Sequence, residues 1–301
     1  MEEIGEILSR GFGVWKRNLN LCIPFLLNII ASMLIFLPIL AAIIVTIMPI
    51  DSLNDLNQTS LQDAGAMQEM LTQIEDSLKS LPGETILQVA GLFLALIVLI
   101  SLINSFFTAG AIGMARQALE NGRSDISSMW SAGRRNFFGL FLATLLIELL
   151  TLAGMIFILP GIIIGGEPLP KDPEALGLLA AGILMFVFYA LALSVILVAV
   201  PYALVVDGHT PVQSISESIK FFRYNKFDVV VLWLLMAAFS LGLQMIGGIA
   251  PAGSGAGSEP LSAIISMINL LVLAPLSNLW WTRLYMSRRG ILNVAETEDP
   301  W

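Results

Sequence analysis

Six long apolar stretches decide what this chain can become. They lie near 20–49, 86–115, 137–160, 176–205, 228–250 and 261–284. An α-helix rises 1.5 Å per residue, so about 20 apolar residues cross the roughly 30 Å of hydrocarbon in a bilayer. Each stretch reaches that length. Only 13% of the residues are charged, against about a quarter in a soluble domain, and the mean hydropathy is +0.84. The expectation is an all-α, polytopic membrane bundle of six transmembrane helices, one integral membrane domain over 1–301. Pro38 is a kink point in the first stretch, because proline removes a helical hydrogen bond.

One cysteine, Cys22, and one histidine, His209, exclude a disulfide framework and a His/Cys metal cluster within one chain. The opening MEEIGEILSRGFGVWKRN starts acidic and lacks the short apolar core of a cleavable signal peptide.

Six spans place both termini on one side. That side carries thirteen of the fifteen Lys and Arg residues against eleven carboxylates, and the opposite side two against eleven. The positive-inside rule then puts both termini in the cytoplasm. Trp15, Trp130, Tyr202, Tyr224, Trp280, Trp281 and Tyr285 all fall near that boundary, where amphipathic rings act as interfacial anchors.

Three of the spans are approached in the same way. Ile4, Ile7, Leu8, Phe12 and Trp15 form a helical stripe leading to KRN at Asn18. Ile126, Met129 and Trp130 lead to RRN at Asn136, and Val212, Ile215, Ile219 and Phe222 to RYN at Asn225. Each segment has an apolar face and a basic end, the pattern of an amphipathic helix lying among lipid headgroups. The cations Lys16, Arg17, Arg134, Arg135, Lys220, Arg223 and Lys226 are candidate headgroup contacts. The second, fourth and sixth spans each end in a turn with glycine, at Gly122, Gly208 and Gly290, the expected helix stop. The chain thus reads as three parallel repeats, about 1–122, 123–208 and 209–290, each opened by an interfacial helix, with a cytoplasmic tail at 291–301.

The segment PYALVVDGHTPVQSISESIKFFRYNKFDVVVLWLL, with its Asp-Gly turn, Ser-bearing helix and aromatic-basic-Asn entry, resembles a diffuse superfamily of six-helix membrane domains. That superfamily includes the membrane domain associated with glycerophosphodiester phosphodiesterases, and uncharacterised archaeal and bacterial relatives. The resemblance implies the fold and a bacterial or archaeal cell membrane, and leaves function open.

Other segments carry weaker readings. Met67, Met70, Leu71, Ile74, Leu78 and Leu81 give the loop 51–85 an amphipathic helix, and Asn57-Gln58-Thr59 is a glycosylation sequon within it. APAGSGAGSEP at 250–260 is a connector, and Gly161 with Gly165 gives a helix-packing spacing. The Ser214, Ser216, Ser218 run falls on the polar face of its interfacial helix with no base beside it, and His209 sits in a turn.

Glu148 is a lone carboxylate in the third stretch, roughly 18 Å deep at 1.5 Å per residue. An intramembrane ionisable group is a functional hypothesis by default. Asn28, Asn104 and Asn269 fall at comparable depth and with Glu148 would form a midplane polar cluster, where transporters bind substrate. Alternatively, a carboxyl group hydrogen-bonded to a neighbour simply joins two helices. No second membrane carboxylate or intramembrane Lys or Arg accompanies it. The reading is a non-catalytic membrane protein that organises lipids or partner proteins, without cofactor. The alternative is a small-molecule or ion transporter around Glu148. Expected partners are membrane lipids, anionic on the cytoplasmic face, and a protein, not nucleic acid.

Overall fold

The computed structural model describes residues 2–47, 82–165, 172–248 and 259–292. The loop helix expected within 51–85, the Asn57 sequon, most of the 250–260 connector and most of the tail lie outside them. All the elements described are helical: α1 (Ile4–Arg17), a 3-10 turn (Leu19–Cys22), α2 (Ile23–Ile47), α3 (Gly83–Asn121) and α4 (Ile126–Ala153). A second 3-10 turn (Gly154–Phe157) leads to α5 (Leu159–Gly165), α6 (Pro173–Ile196), α7 (Val200–Asp207) and α8 (Pro211–Tyr224). The chain continues through α9 (Lys226–Gly248), α10 (Glu259–Ile268), a π-helical turn (Asn269–Leu273) and α11 (Ala274–Arg288).

Six of these helical runs are long and apolar enough to cross a membrane: Leu19–Ile47, Gly83–Asn121, Ile126–Phe157, Pro173–Asp207, Lys226–Met245 and Ile264–Arg288. The protein is a multi-pass membrane protein by this measure. Helices suit that solvent because they satisfy every internal backbone group within one segment. Pro38 sits inside α2, which runs on past it.

Helix ends follow local chemistry. Glu3 and Glu6 form a capping box at the start of α1, and Lys16 and Arg17 fill its last turn, complementing the helix dipole. Thr210 and Gln213 cap α8, with Pro211 at its first position. Gly122, Gly208 and Gly290 have φ of 72°, 73° and 71°, a left-handed conformation that glycine adopts without strain.

The chain divides into two compact units, Leu27–Asn104 and Met1–Leu26 with Ser105–Trp301. Within the first, α2 and α3 are tied by Asn28 Nδ2 donating to Asn104 Oδ1 at 2.8 Å. The core of the second gathers where its basic segments lie. There α3 contributes Ile112, Met114 and Ala118, α4 Met129 and Leu140, α7 Val200 to Val206, and α11 Leu279 to Met286. A side chain at Gly110 or Gly113 would meet Met129 or Ala132 of α4, so the small residues let α3 and α4 approach closely. Gly161 does the same against the backbone at Leu179, which makes it a packing residue. The π-helical turn offers a carbonyl at Leu271, and Cys22 Sγ donates to it at 3.0 Å.

The aromatic and serine readings need correction. Tyr202, Trp280, Trp281 and Tyr285 are buried in protein, whereas Trp130 and Tyr224 are exposed. Sequence position alone does not separate an interfacial ring from a core ring at the same depth. In α8, Ser214 and Ser218 are fully buried while Val212 and Ile219 are exposed, the reverse of an ordinary amphipathic helix. Ser218 Oγ donates to Ile196 O at 2.8 Å and Ser214 Oγ to Thr210 O at 2.9 Å. Small hydroxylated residues allow close helix contact in a setting where apolar side chains have no need to hide. The segment ahead of the third span is also not a separate helix, since α4 runs unbroken from Ile126 through Asn136.

Candidate functional site

The seven candidate headgroup cations are all exposed: Lys16, Arg17, Arg134, Arg135, Lys220, Arg223 and Lys226. Lys220 pairs with Glu217 at 2.7 Å, and that bond holds the Glu217 carboxyl below the usual range. Lys226 lies over the Phe227 ring at 5.4 Å. Among the described residues no ion pair forms to Lys16, Arg134, Arg135 or Arg223. Around the last three of the seven, Val212, Ile219, Tyr224 and Phe227 are exposed, Tyr224 at 84% and Phe227 at 76%.

The Asn that ends each basic segment makes one common bond. Asn18, Asn136 and Asn225 donate from Nδ2 to the carbonyl four residues earlier, Val14, Ala132 and Phe221, each at 3.0 Å. Asn18 also reaches the first glycine turn: its Nδ2 donates to Gly122 O and its Oδ1 accepts from Ser124 N, both at 3.0 Å. Asn20 accepts from Ser124 Oγ at 2.8 Å. That turn is clasped shut.

Beside the second glycine turn a cleft of about 500 Å³ opens instead. Arg116, Arg135, Asn136 and His209 line it, with Gly139, Leu204 to Val206, Asp207 and Gly208. Arg116 is fixed from α3, donating from Nη1 to Val206 O at 2.9 Å and from Nε to Glu120 at 2.7 Å. Asp207 accepts from Tyr285 Oη at 2.6 Å and from Arg289 Nη2 at 2.7 Å, so its charge is already matched. His209 Nε2 lies 3.6 Å from Asp207 Oδ2 and 3.5 Å from Arg289 Nη2. No spacing in the sequence announces this cleft, because its cations come from α3, α4 and the turn after α7.

A second polar assembly docks α1 on α11. Arg283 donates to the Glu2 carboxylate from Nε at 3.0 Å and Nη2 at 2.6 Å, and Arg10 Nη1 from 3.1 Å. Arg288 Nη2 donates to Glu2 O at 2.9 Å and its Nε to Asp228 at 2.8 Å. Burial pushes the Glu2 carboxyl up, but the bonds and charges of Arg283 and Arg10 outweigh it and hold it below its ordinary value.

The proposed midplane residues are placed as follows. Asn28 and Asn104 bond to each other, and Asn28 Oδ1 is buried without a partner among the described residues. Glu148 and Asn269 are exposed on their helices, and no hydrogen bond to either side chain is found among the described residues. Asn269 begins the π-helical turn.

A family model described as "Domain of unknown function (DUF7847)" matches residues 77–282, more than half of the chain. The chain belongs to this family. The DUF7847 match contains every residue lining the cleft, whereas Glu2 and Arg283 lie outside it. An uncharacterised protein of Archaeoglobus fulgidus is 24% identical over 298 residues, covering 96% of each chain. No solved structure matches the chain.

Proposed function

We propose that this protein is a non-catalytic component of a bacterial or archaeal cell membrane that holds anionic lipid against its basic, cytoplasmic face. The observation that carries this reading is the outward surface of α8 and the start of α9. Exposed Val212, Ile219, Tyr224 and Phe227 adjoin exposed Lys220, Arg223 and Lys226. Apolar groups that enter the acyl boundary beside cations at headgroup level are the physical signature of an interfacial segment. Each such cation contributes about 1 kcal/mol near an anionic surface. The three-repeat organisation is part of the proposal. The common Asn bonds and the three left-handed glycines support it, as does the resemblance to six-helix membrane domains. A protein partner on the same face is compatible with it.

Spin-labelled lipids provide the test. In reconstituted vesicles, an anionic spin-labelled lipid should associate with the protein more strongly than a zwitterionic one. The preference should shrink in high salt and in the K220Q/R223Q/K226Q variant. Equal association of both lipids with the wild type would refute the proposal.

The transporter reading keeps one observation in its favour: Asn28 Oδ1, buried and without a partner among the described residues, an acceptor that a passing donor could satisfy.

A further inference from the structure

The three basic segments that end at Asn18, Asn136 and Asn225 meet their glycine turns differently, and the difference leaves Asn136 with an unused acceptor. Asn18 and Asn20 spend their amides on the turn at Gly122 and Ser124. Two residues after Asn136 stands Phe138, where Asn20 stands two after Asn18. Phe138 has no amide to reach the turn, and it is exposed. Thr210, two residues past Gly208, turns instead to Gln213, which accepts its backbone N–H at 3.2 Å.

Asn136 is therefore left with one bond, to Ala132 O. It is only 8% exposed, lines the cleft, and its Oδ1 has no hydrogen-bond partner among the described residues. That oxygen is therefore free to accept a hydrogen bond from whatever enters the cleft. Around it stand Arg135, which forms no ion pair among the described residues, Arg116 and His209. The one carboxylate on the lining, Asp207, is taken by Tyr285 and Arg289. The cleft thus presents one arginine, Arg135, without an ion pair among the described residues, and an unused acceptor, in a volume typical of small-ligand sites.

We infer that this cleft is a binding site for a phosphate group. Arg135 supplies a fork of donors suited to phosphate oxygens, Arg116 and His209 on the same lining offer further N–H donors, and Asn136 Oδ1 accepts from a P–OH or a neighbouring hydroxyl. The phosphate can belong to a lipid headgroup or to a soluble anion, because both present the same oxygens. The first case rests on the lipid-holding reading above; the second does not. The site is distinct from the α8–α9 surface, which shares no residue with it.

The test uses the full chain in nanodiscs of zwitterionic lipid. Inorganic phosphate is titrated in one arm and short-chain phosphatidylglycerol in the other, with hydrogen exchange read at 131–140 and 207–213. Saturable protection of these peptides in either arm is expected, weakened at least tenfold by Arg135→Gln and by Asn136→Ala. Arg123→Gln, which alters an exposed arginine outside the cleft, should retain wild-type affinity. Arg135→Gln removes a side chain with no ion pair and so leaves the fold intact even if Asn136→Ala does not. Protection by phosphate identifies a soluble anion, and protection by the lipid alone identifies a headgroup. No protection in either arm, or equal losses for Arg123→Gln and Arg135→Gln, overturns the inference. Failure here with the lipid preference intact would leave the lipid-holding proposal standing.

Discussion

Replacing Glu2 by alanine should release α1 from α11. The Glu2 carboxylate accepts three bonds, two from Arg283 and one from Arg10. Arg283 is 5% exposed, and Glu2 is its hydrogen-bond partner among the described residues. Removing one member of a buried pair leaves the other charge desolvated and unmatched, which destabilises by about 3–5 kcal/mol. The remaining links are Arg288 to Glu2 O and Trp280 Nε1 to Leu8 O, the latter at 3.0 Å. Neutral hydrogen bonds contribute only about 0.5–1.5 kcal/mol each, so the loss falls mainly on local docking rather than on the whole fold. Hydrogen exchange of peptides within 4–17 should then accelerate about a hundredfold or more, at tenfold per 1.4 kcal/mol. Glu2→Gln, which keeps an acceptor but no charge, should fall between. The double variant Glu2→Leu with Arg283→Met should recover most of the protection, because it leaves no orphaned charge. If Glu2→Ala exchanges within threefold of wild type, the ion pair does not hold α1 and the reasoning fails.

Other consequences follow from the same geometry. The lowered Glu2 pKa means its contribution is fully present above its ordinary value of 4.5 and is lost as pH falls through the lower folded value. Exchange of α1 should thus be flat from pH 7 to 5, after correction for intrinsic rates, and rise in more acid solution. Gly11→Leu would drive a side chain into the Trp280 indole; overpacking of about 1–3 kcal/mol and a shift in tryptophan emission are expected. Gly208→Ala places a Cβ at φ 73° and should lower thermal stability by about 1–2 kcal/mol, whereas Gly13→Ala, which meets no neighbour, should not.

Much of the architecture was legible because the physics behind it is local. Apolar length fixes the spans, and a left-handed turn selects glycine, so Gly122, Gly208 and Gly290 could be found without coordinates. Orientation of side chains was less legible. Inside water, Ser214 and Ser218 would face outward; beside lipid they are the small groups on which α8 packs, and Ile219 faces outward instead. Trp280 looked like an interfacial anchor and is a core ring lying on Gly11. The cleft was invisible because Arg116, Arg135 and His209 are brought together only by the crossing of α3, α4 and the turn after α7. Glu148 stands out in the sequence as a lone charge, yet it is exposed on α4 and its side chain has no hydrogen-bond partner among the described residues.

Native mass spectrometry of the protein extracted gently from its own membrane, as wild type, Glu148→Gln and K220Q/R223Q/K226Q, tests the lipid-holding account most directly. The account predicts anionic phospholipid retained by the wild type and by Glu148→Gln, and depleted in the triple variant. A small ligand lost only from Glu148→Gln, with lipid retention unchanged in the triple variant, would contradict it and make Glu148 the centre of a transport site.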